Sequence, residues 1–240
     1  MDNCLAGFNN ARDLGGLPLH GGGTTVRGAI MRSETPVDYQ PPGAAATMPA
    51  FARVLDLRSA EEAKAVPHPM VKGPGYKLRP LIDPSAEALR DPDSEVTLGA
   101  VYKGSLGRNT ATIAAIMTEI ADAPEGTVLI SCASGKDRTG MISAILLRLA
   151  GVPDEIIGED YERTEHGMRE AFAKELAEAT DEASVKSLSH LQNAQAKNII
   201  EMLEHIDETY GAADQYLLSI GLTQAQVDRL CIRLHRPGGA

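Results

Sequence analysis

The stretch ISCASGKDRTG, residues 130 to 140, constrains this chain more than any other part of it. The apolar run TVLI leads into it. A helical pattern leaves it, with Met141, Ile142, Ile145, Leu146 and Leu149 on one face before Gly151 and Pro153 end the helix. The stretch therefore spans a strand-to-helix turn, which gathers unpaired backbone N–H groups at the positive end of a helix dipole and so forms a ready cradle for an anion. Other units of the same kind precede it. FARVLDLRS offers Val54, Leu55 and Leu57 as a short buried strand, and Ser59 with Glu62 forms the capping box that opens a helix. GYKLRPLIDPS predicts another strand ending in a loop, AEALRDPDSEV an acidic, turn-rich connection, and Ile113, Ile116, Met117 and Ile120 a further helix.

The first fifty residues are rich in Gly and Pro, with GGLPLHGGGTT and QPPGAAA around the β-prone TTVRGAIMRS, and predict a lead-in of short strands and loops. From about residue 154 onward the pattern is helical. An Ala/Glu-rich stretch, REAFAKELAEAT, is followed by a longer one ending near Gly211 and a last helix capped by Thr223 with Gln226. The expected fold class is α/β: a central, mostly parallel sheet flanked by helices, with the anion loop at the carboxyl end of a strand ending at Ile130, and an all-helical C-terminal part. With 43% hydrophobic and 23% charged residues, a chain of 240 residues fits one domain over residues 1–240.

Cys132 stands at the entry to the cradle, with Gly135, Arg138, Thr139 and Gly140 three, six, seven and eight residues beyond it. This is the C-x5-R-[ST] spacing of cysteine-dependent phosphatases, and each position has a physical purpose. A five-residue loop lets the amides of residues 133 to 138 curl around one phosphate, so Ala133, Ser134, Gly135 and Lys136 are substrate-binding positions, and Gly135 permits a backbone turn that a side chain would resist. Arg138 closes the ring with a planar, two-pronged grip that lysine cannot reproduce. The same inward dipoles favour thiolate over thiol at Cys132, making it a nucleophile, and the Thr139 hydroxyl is placed to donate to the sulfur. A chance match at these offsets in a chain of this length has a frequency of roughly one in 10⁴. The plain alternative, a lone buried cysteine acting as a small hydrophobe, leaves the rest of the loop unexplained. A Walker A loop would need glycine at Ile130 and Ser or Thr at Asp137.

A formal net charge of −10 argues against a non-specific grip on nucleic acid or an anionic membrane, so any anionic ligand must be held by a local cluster of positive groups. Cys4, Cys132 and Cys231 are scattered, and His20, His68, His166, His190, His205 and His235 show no ligand spacing, so no disulfide framework, metal or cofactor is expected. There is no readable secretory signal at the N-terminus and no apolar run near the ~20 residues that span a bilayer. These features point to a cytoplasmic protein without stable membrane insertion, while export by a route lacking such a signal and the oligomeric state stay open.

The chain resembles the atypical bacterial protein-tyrosine phosphatases, the mycobacterial PtpB-like group with dual-specificity and phosphoinositide-active members. FNNARDLGGLP is similar to the group's N-terminal N-F-R-D-L-G-G segment, RGAIMRSETP to its G-x-x-x-R-S piece, and VLDLRSAEE to its D-L-R-S-x-x-E strand and helix. GVPDEIIGEDYERT and YGAADQYLLSIGLTQAQVDRL are similar to its later helical segments, so the resemblance covers most of the chain. The group usually has histidine before the nucleophile, where this chain has Ser131. The resemblance implies a phosphatase acting on phosphotyrosine, with phosphoserine, phosphothreonine and phosphoinositides as further substrates, and Asp137 as the proton donor to the leaving group, with Asp56 a second candidate.

On the residues alone, Asp137, Asp56 and Asp83 are all candidate acids, and Asp83, in a loop that overhangs, is also a candidate substrate contact. Each has a structural alternative: a helix cap, a strand-end partner for Arg58, and a turn residue before Pro84. Lys136 adds a second cation for an inositol headgroup phosphate, or is a solvated surface lysine. Arg12, Asp13 and Arg58 are expected to brace the loop through buried ion pairs. Met168, Phe172 and Leu176 give an apolar face, and the related enzymes' helical lid suggests one here around residues 160–190; a helix packed permanently on the core is the alternative. Two other functional readings stay in play. One is a non-catalytic phosphate-recognition module with Cys132 protonated, and the other is a dedicated phosphoinositide phosphatase.

Overall fold

The computed structural model describes residues 5, 7–37 and 50–235. Cys4 and the QPPGAAA segment lie outside the described residues. The order of elements is β1 (Arg12–Asp13), β2 (Ile30–Glu34), β3 (Arg53–Asp56), α1 (Ala60–Ala65), β4 (Tyr76–Leu78), α2 (Pro84–Glu87), α3 (Leu98–Arg108), α4 (Thr110–Ala121), β5 (Val128–Cys132) and α5 (Asp137–Ala150). The chain then runs through α6 (Asp154–Gly167), α7 (Arg169–Glu178), α8 (Glu182–Gln192), α9 (Ala196–Tyr210), α10 (Ala213–Ser219) and α11 (Gln224–Leu234). The sheet order is β1-β2-β5-β3-β4, with β1 antiparallel to β2 and every other pair parallel.

β5 lies at the centre of the sheet, which explains its nearly unbroken apolar sequence: a parallel strand covered on both faces has no wet side to mark with polar residues. Ile30, Leu55, Val128 and Ile130 face the large core formed with the helices, whereas Met31, Val54 and Leu129 face a smaller cluster with Leu5, Phe8 and Ala11 of the N-terminal segment. Full burial of each such side chain contributes about 1.5–3 kcal/mol, against about 1–2 kcal/mol per residue to order the backbone. The strand is therefore stable only with both faces covered, and the N-terminal segment is part of the core.

Both capping boxes inferred from sequence form, Ser59 with Glu62 and Thr223 with Gln226. Gly151 ends α5 in the left-handed conformation at φ 85°. One expectation needs correction, and one helix was not anticipated. The central strand runs to Cys132 because its parallel ladder with β2 continues through Glu34↔Cys132, so the nucleophile candidate is the last strand residue. The helix α3 was not legible in its glycine-rich sequence; Thr97 caps it, and Gly99 lies against the Glu201 carboxylate of α9.

His68 illustrates how the smaller core responds to acid. It is 1% exposed, its Nδ1 accepts from the Met70 amide, and its Nε2 has no partner. Burial, aided by the Arg58 charge and opposed by Asp56, lowers its pKa from 6.5 to about 4. The unfolded chain thus takes up the proton first, and the contribution of neutral His68 to stability is intact above pH ~6.5 and lost as pH falls toward ~4. His68→Gln should show a smaller loss of melting temperature between about pH 7 and pH 5 than the parent protein, measured by thermal denaturation.

Candidate active site

The loop from Cys132 to Lys136 is held by its carbonyls. The Thr35 amide donates to Cys132 O (2.8 Å) and Ala133 O (3.0 Å), Asn10 Nδ2 to Ser134 O (2.8 Å), and Arg32 Nη2 to Gly135 O (2.6 Å). The Gly140 amide takes Lys136 O at 2.7 Å. In a trans peptide the N–H of the next residue points opposite the carbonyl. Tying these carbonyls to the surrounding frame therefore turns the amides of residues 133 to 137 the other way, and among the described residues none of those amides donates a hydrogen bond. Gly135 has φ +67°, and a Cβ there would lie 2.5 Å from Ser33 C and O, so the loop closes against β2 only with glycine.

Beneath the loop, Asp160 of α6 pairs with Arg12 Nε at 2.6 Å and with Arg32 Nη1 at 2.6 Å, all three side chains being nearly inaccessible. Burial alone would raise the Asp160 pKa, yet the two guanidinium groups outweigh it and hold the carboxyl at about 2. Above the loop, Arg138 donates from Nη1 to Glu62 Oε2 (2.6 Å) and from Nη2 to Glu62 Oε1 (2.8 Å). Those hydrogen bonds lower the Glu62 pKa to about 2. Arg138 is raised in turn: burial opposes its charge, but Glu62 and Cys132 outweigh the burial. A cavity of about 920 Å³ opens beside the loop, lined by Ala133, Ser134, Lys136 and Asp137, by Arg58 and Glu62, and by apolar side chains of α7, α8 and their flanks, including Met168, Phe172, Leu188 and Leu191.

A strand-end cysteine followed by a loop of unbonded amides, with the Arg138 guanidinium near enough to respond to the sulfur's charge, is a combination able to bind a tetrahedral dianion. Comparison with known sequences agrees: a model of the tyrosine phosphatase family matches residues 4–236. The chain belongs to the tyrosine phosphatase family. It is 27% identical over 206 residues to a protein named Tyrosine-protein phosphatase from Nostoc commune, a match covering 77% of this chain and 66% of that one. It is 30% identical over 115 residues to the Triple specificity protein phosphatase PtpB of Mycobacterium tuberculosis, covering 43% of this chain and 42% of that one. The chain spans just under two thirds of the first relative's length and less than half of the second's. The architecture, a mostly parallel sheet flanked by helices with a helical C-terminal half, is that of the protein-tyrosine-phosphatase-like α/β fold.

In this family member the sequence-inferred residues separate into two groups. Cys132, Ala133, Ser134, Gly135, Lys136, Asp137, Arg138 and Thr139 are contiguous around the loop, and Cys132 is 1% exposed. The Thr139 hydroxyl is buried but makes no hydrogen bond, so the expected bond to the sulfur is absent. Ser131 Oγ, where the related group has histidine, reaches toward Leu55 O at 3.4 Å. Lys136 is not a solvated lysine. It is 1% exposed and donates to the carbonyls of Leu191 and, at 3.1 Å, Asn193, at the C-terminal end of α8.

The other two aspartates have structural employment. Asp56 is fully buried, takes Arg58 Nε (2.9 Å) and Nη2 (2.7 Å), and accepts from Tyr76 Oη (3.0 Å); burial would raise its pKa, but Arg58 outweighs that and lowers it. A carboxylate so committed is a poor proton donor. Asp83 is the N-cap of α2, with its carboxylate bonded to Ser85, and it does not line the cavity. Asp56, expected as an acid, is thus bonded within the sheet edge, and Asp83, expected as an acid or substrate contact, caps α2. Arg12 braces the loop as expected, whereas Asp13 accepts from the Gly15 and Gly28 amides and Arg58 is spent on Asp56.

Sequence reasoning missed Glu62 in this role, because its capping function accounted for it fully; a carboxylate one strand away from the loop was the available signal. Glu62→Gln keeps an acceptor for the Ser59 amide and so should leave the melting temperature nearly unchanged. It removes the charge that orients Arg138. A fall in kcat/KM of roughly three- to tenfold is expected in steady-state assays, modest because the pair is partly exposed.

Proposed function

We propose that this protein is a cysteine-dependent phosphatase that hydrolyses phosphomonoesters through a cysteinyl-phosphate intermediate. The reading is supported by one observation: the surrounding frame binds the loop carbonyls, which leaves the amides of residues 133 to 137 without hydrogen bonds in the loop between Cys132 and Arg138. In the first step the Cys132 thiolate forms an S–P bond as the P–O bond to the leaving group breaks, and Asp137 supplies the proton that the departing oxygen needs. In the second, water attacks phosphorus, its proton passes to Asp137, and the S–P bond breaks to release inorganic phosphate and restore the thiolate. Loop amides and Arg138 offset the charge spread over the equatorial oxygens throughout. No step calls for a metal.

The substrate class that fits best is phosphotyrosine in a protein. The apolar wall of Met168, Phe172, Leu188 and Leu191 suits an aryl ring, and a relative's name specifies tyrosine phosphatase. The other relative's triple specificity supports a broader range that includes phosphoserine and phosphothreonine. The α7 and α8 helices act as a cover, since Met168 and Phe172 are buried against the cavity while α8 is held at its C-terminal end by Lys136. Leu176 lines an adjoining hollow that shares Phe172 with the cavity. Among the described residues no helix is long and apolar enough to cross a membrane. A reactive thiol fits the reducing cytoplasm.

A phosphoinositide reading has one observation in its favour. Lys136 is among the residues lining the cavity, and a second phosphate would have to replace the main-chain carbonyls and Asp137 Oδ1, at 3.2 Å, that its ammonium now contacts.

Two measurements test these statements. Turnover of p-nitrophenyl phosphate should fall by about a thousandfold or more in Cys132→Ser and persist in the presence of a chelator. Absence of turnover by the parent protein anywhere between about pH 5 and pH 8 would assign it instead to phosphate recognition without catalysis. Lys136→Ala should reduce phosphoinositide turnover about tenfold more than phosphopeptide turnover. An equal loss on both substrates would remove the headgroup role.

A further inference from the structure

Two buried phenols beside the loop have no part in the steps above. Tyr102 of α3 is 2% exposed and Tyr161 of α6 is 1% exposed. Their hydroxyl oxygens are 2.6 Å apart, with the rings edge-on at 79°. The Tyr102 hydroxyl also bonds Asp137 Oδ1. The direction of this chain follows from the donor inventory. Asp137 Oδ1 accepts whether the carboxyl is ionised or carries its proton on Oδ2, so the single hydroxyl hydrogen of Tyr102 goes to Oδ1 and Tyr161 donates to Tyr102. Both phenols keep their protons over the working pH range, because burial, and after it the Asp137 charge, raises each of them above the ordinary tyrosine value.

The surroundings are built to hold this arrangement. A Cβ on Gly140 would lie 3.0 Å from Cδ2 and Cε2 of Tyr161, so the glycine eight residues after Cys132 makes room for that ring. The residue before Tyr161 is Asp160, which fixes Arg32 and through it Gly135 O. One turn of α6 thus grips the loop from below and feeds the relay. A hydroxyl in a merely apolar core would be a cost, whereas here it ends on the one loop carboxylate that is 41% exposed at the cavity.

We propose that Tyr102 and Tyr161 are positioning residues for the leaving-group proton: Tyr102, oriented by Tyr161, occupies Asp137 Oδ1 so that the transferable proton resides on Oδ2. This rests on Asp137 being the proton donor. Proton donation matters most for poor leaving groups and least for those that depart as stable anions, so the effect is read as leaving-group selectivity, which a packing role would not produce.

The test compares phenyl phosphate with 2,4-dinitrophenyl phosphate. Tyr102→Phe retains the ring and should lower kcat on phenyl phosphate about tenfold at unchanged KM, with a change below about twofold on the dinitrophenyl ester. Asp137→Asn should show the same selectivity at about a hundredfold, and the double variant should be no worse than Asp137→Asn, because the residues act as a unit. If Asp137→Asn shows no selectivity, the proton-donor reading fails and the relay with it. If Asp137→Asn is selective but Tyr102→Phe slows both esters alike or neither, the relay alone is overturned. Should Tyr102→Phe melt below the assay temperature, Tyr161→Phe decides: it leaves the Tyr102 bond to Asp137 in place and is expected to give a weaker loss, about threefold, confined to phenyl phosphate. An unselective Tyr161→Phe would then overturn the proposal.

Discussion

Everything in the site depends on where five peptide carbonyls are bound. A loop that encircles an anion must present its amides inward, and peptide planarity allows this only if the carbonyls are taken outward by other groups. Here the takers come from across the chain: the Thr35 amide, Asn10, Arg32 and the Gly140 amide. Arg32 is the central one, since its guanidinium reaches Gly135 O while its other terminal nitrogen is neutralised by Asp160.

The Arg12–Asp160–Arg32 group has an excess positive charge in the interior, which is expensive in isolation. Burial, and then the neighbouring Arg12, lowers the Arg32 pKa to about 10, still high enough to keep it charged at neutral pH. The compensation is geometric: Arg12 Nε and Arg32 Nη1 each take one carboxylate oxygen of Asp160, and Arg12 Nη2 its main-chain carbonyl. Breaking such a group by removing one partner typically costs about 3–5 kcal/mol, a large share of a domain's ~5–15 kcal/mol. The loop and the fold are thus stabilised by the same contacts. In a chain of net charge −10 the other cations near the loop are each matched by a carboxylate, Arg138 by Glu62, Lys136 by Asp137 and Arg58 by Asp56.

The sheet does the rest of the positioning. β5 ends at Cys132, flanked by β2, which supplies Thr35, and by β3, whose following turn and helix supply Glu62. Parallel strands bring their carboxyl ends to one edge, so residues far apart in sequence arrive at the same place. The helical C-terminal half then adds Asp160 and Tyr161 from one side and the Leu191 and Asn193 carbonyls from above.

The sequence by itself determined the parts that are local. The strand, the glycine turn, the arginine and the helix start lie within nine residues of one another, and their chemistry follows from spacing alone. The capping boxes and the apolar period of α4 and α5 were legible for the same reason: each is a relation between residues a few positions apart. Only the tertiary structure decided which distant groups hold that loop. Asn10, Arg32 and Glu62 act across 124, 103 and 76 residues of chain, and nothing in their neighbours' periodicity marks them. It also decided that Asp56 bonds Arg58, that Asp83 caps α2, that Asp137 lines the cavity, and that Lys136 is bonded to α8 instead of standing in solvent. The reason is physical: residue type states what a group can bond, but burial and the direction of each carbonyl are set only when the strands and helices close around it.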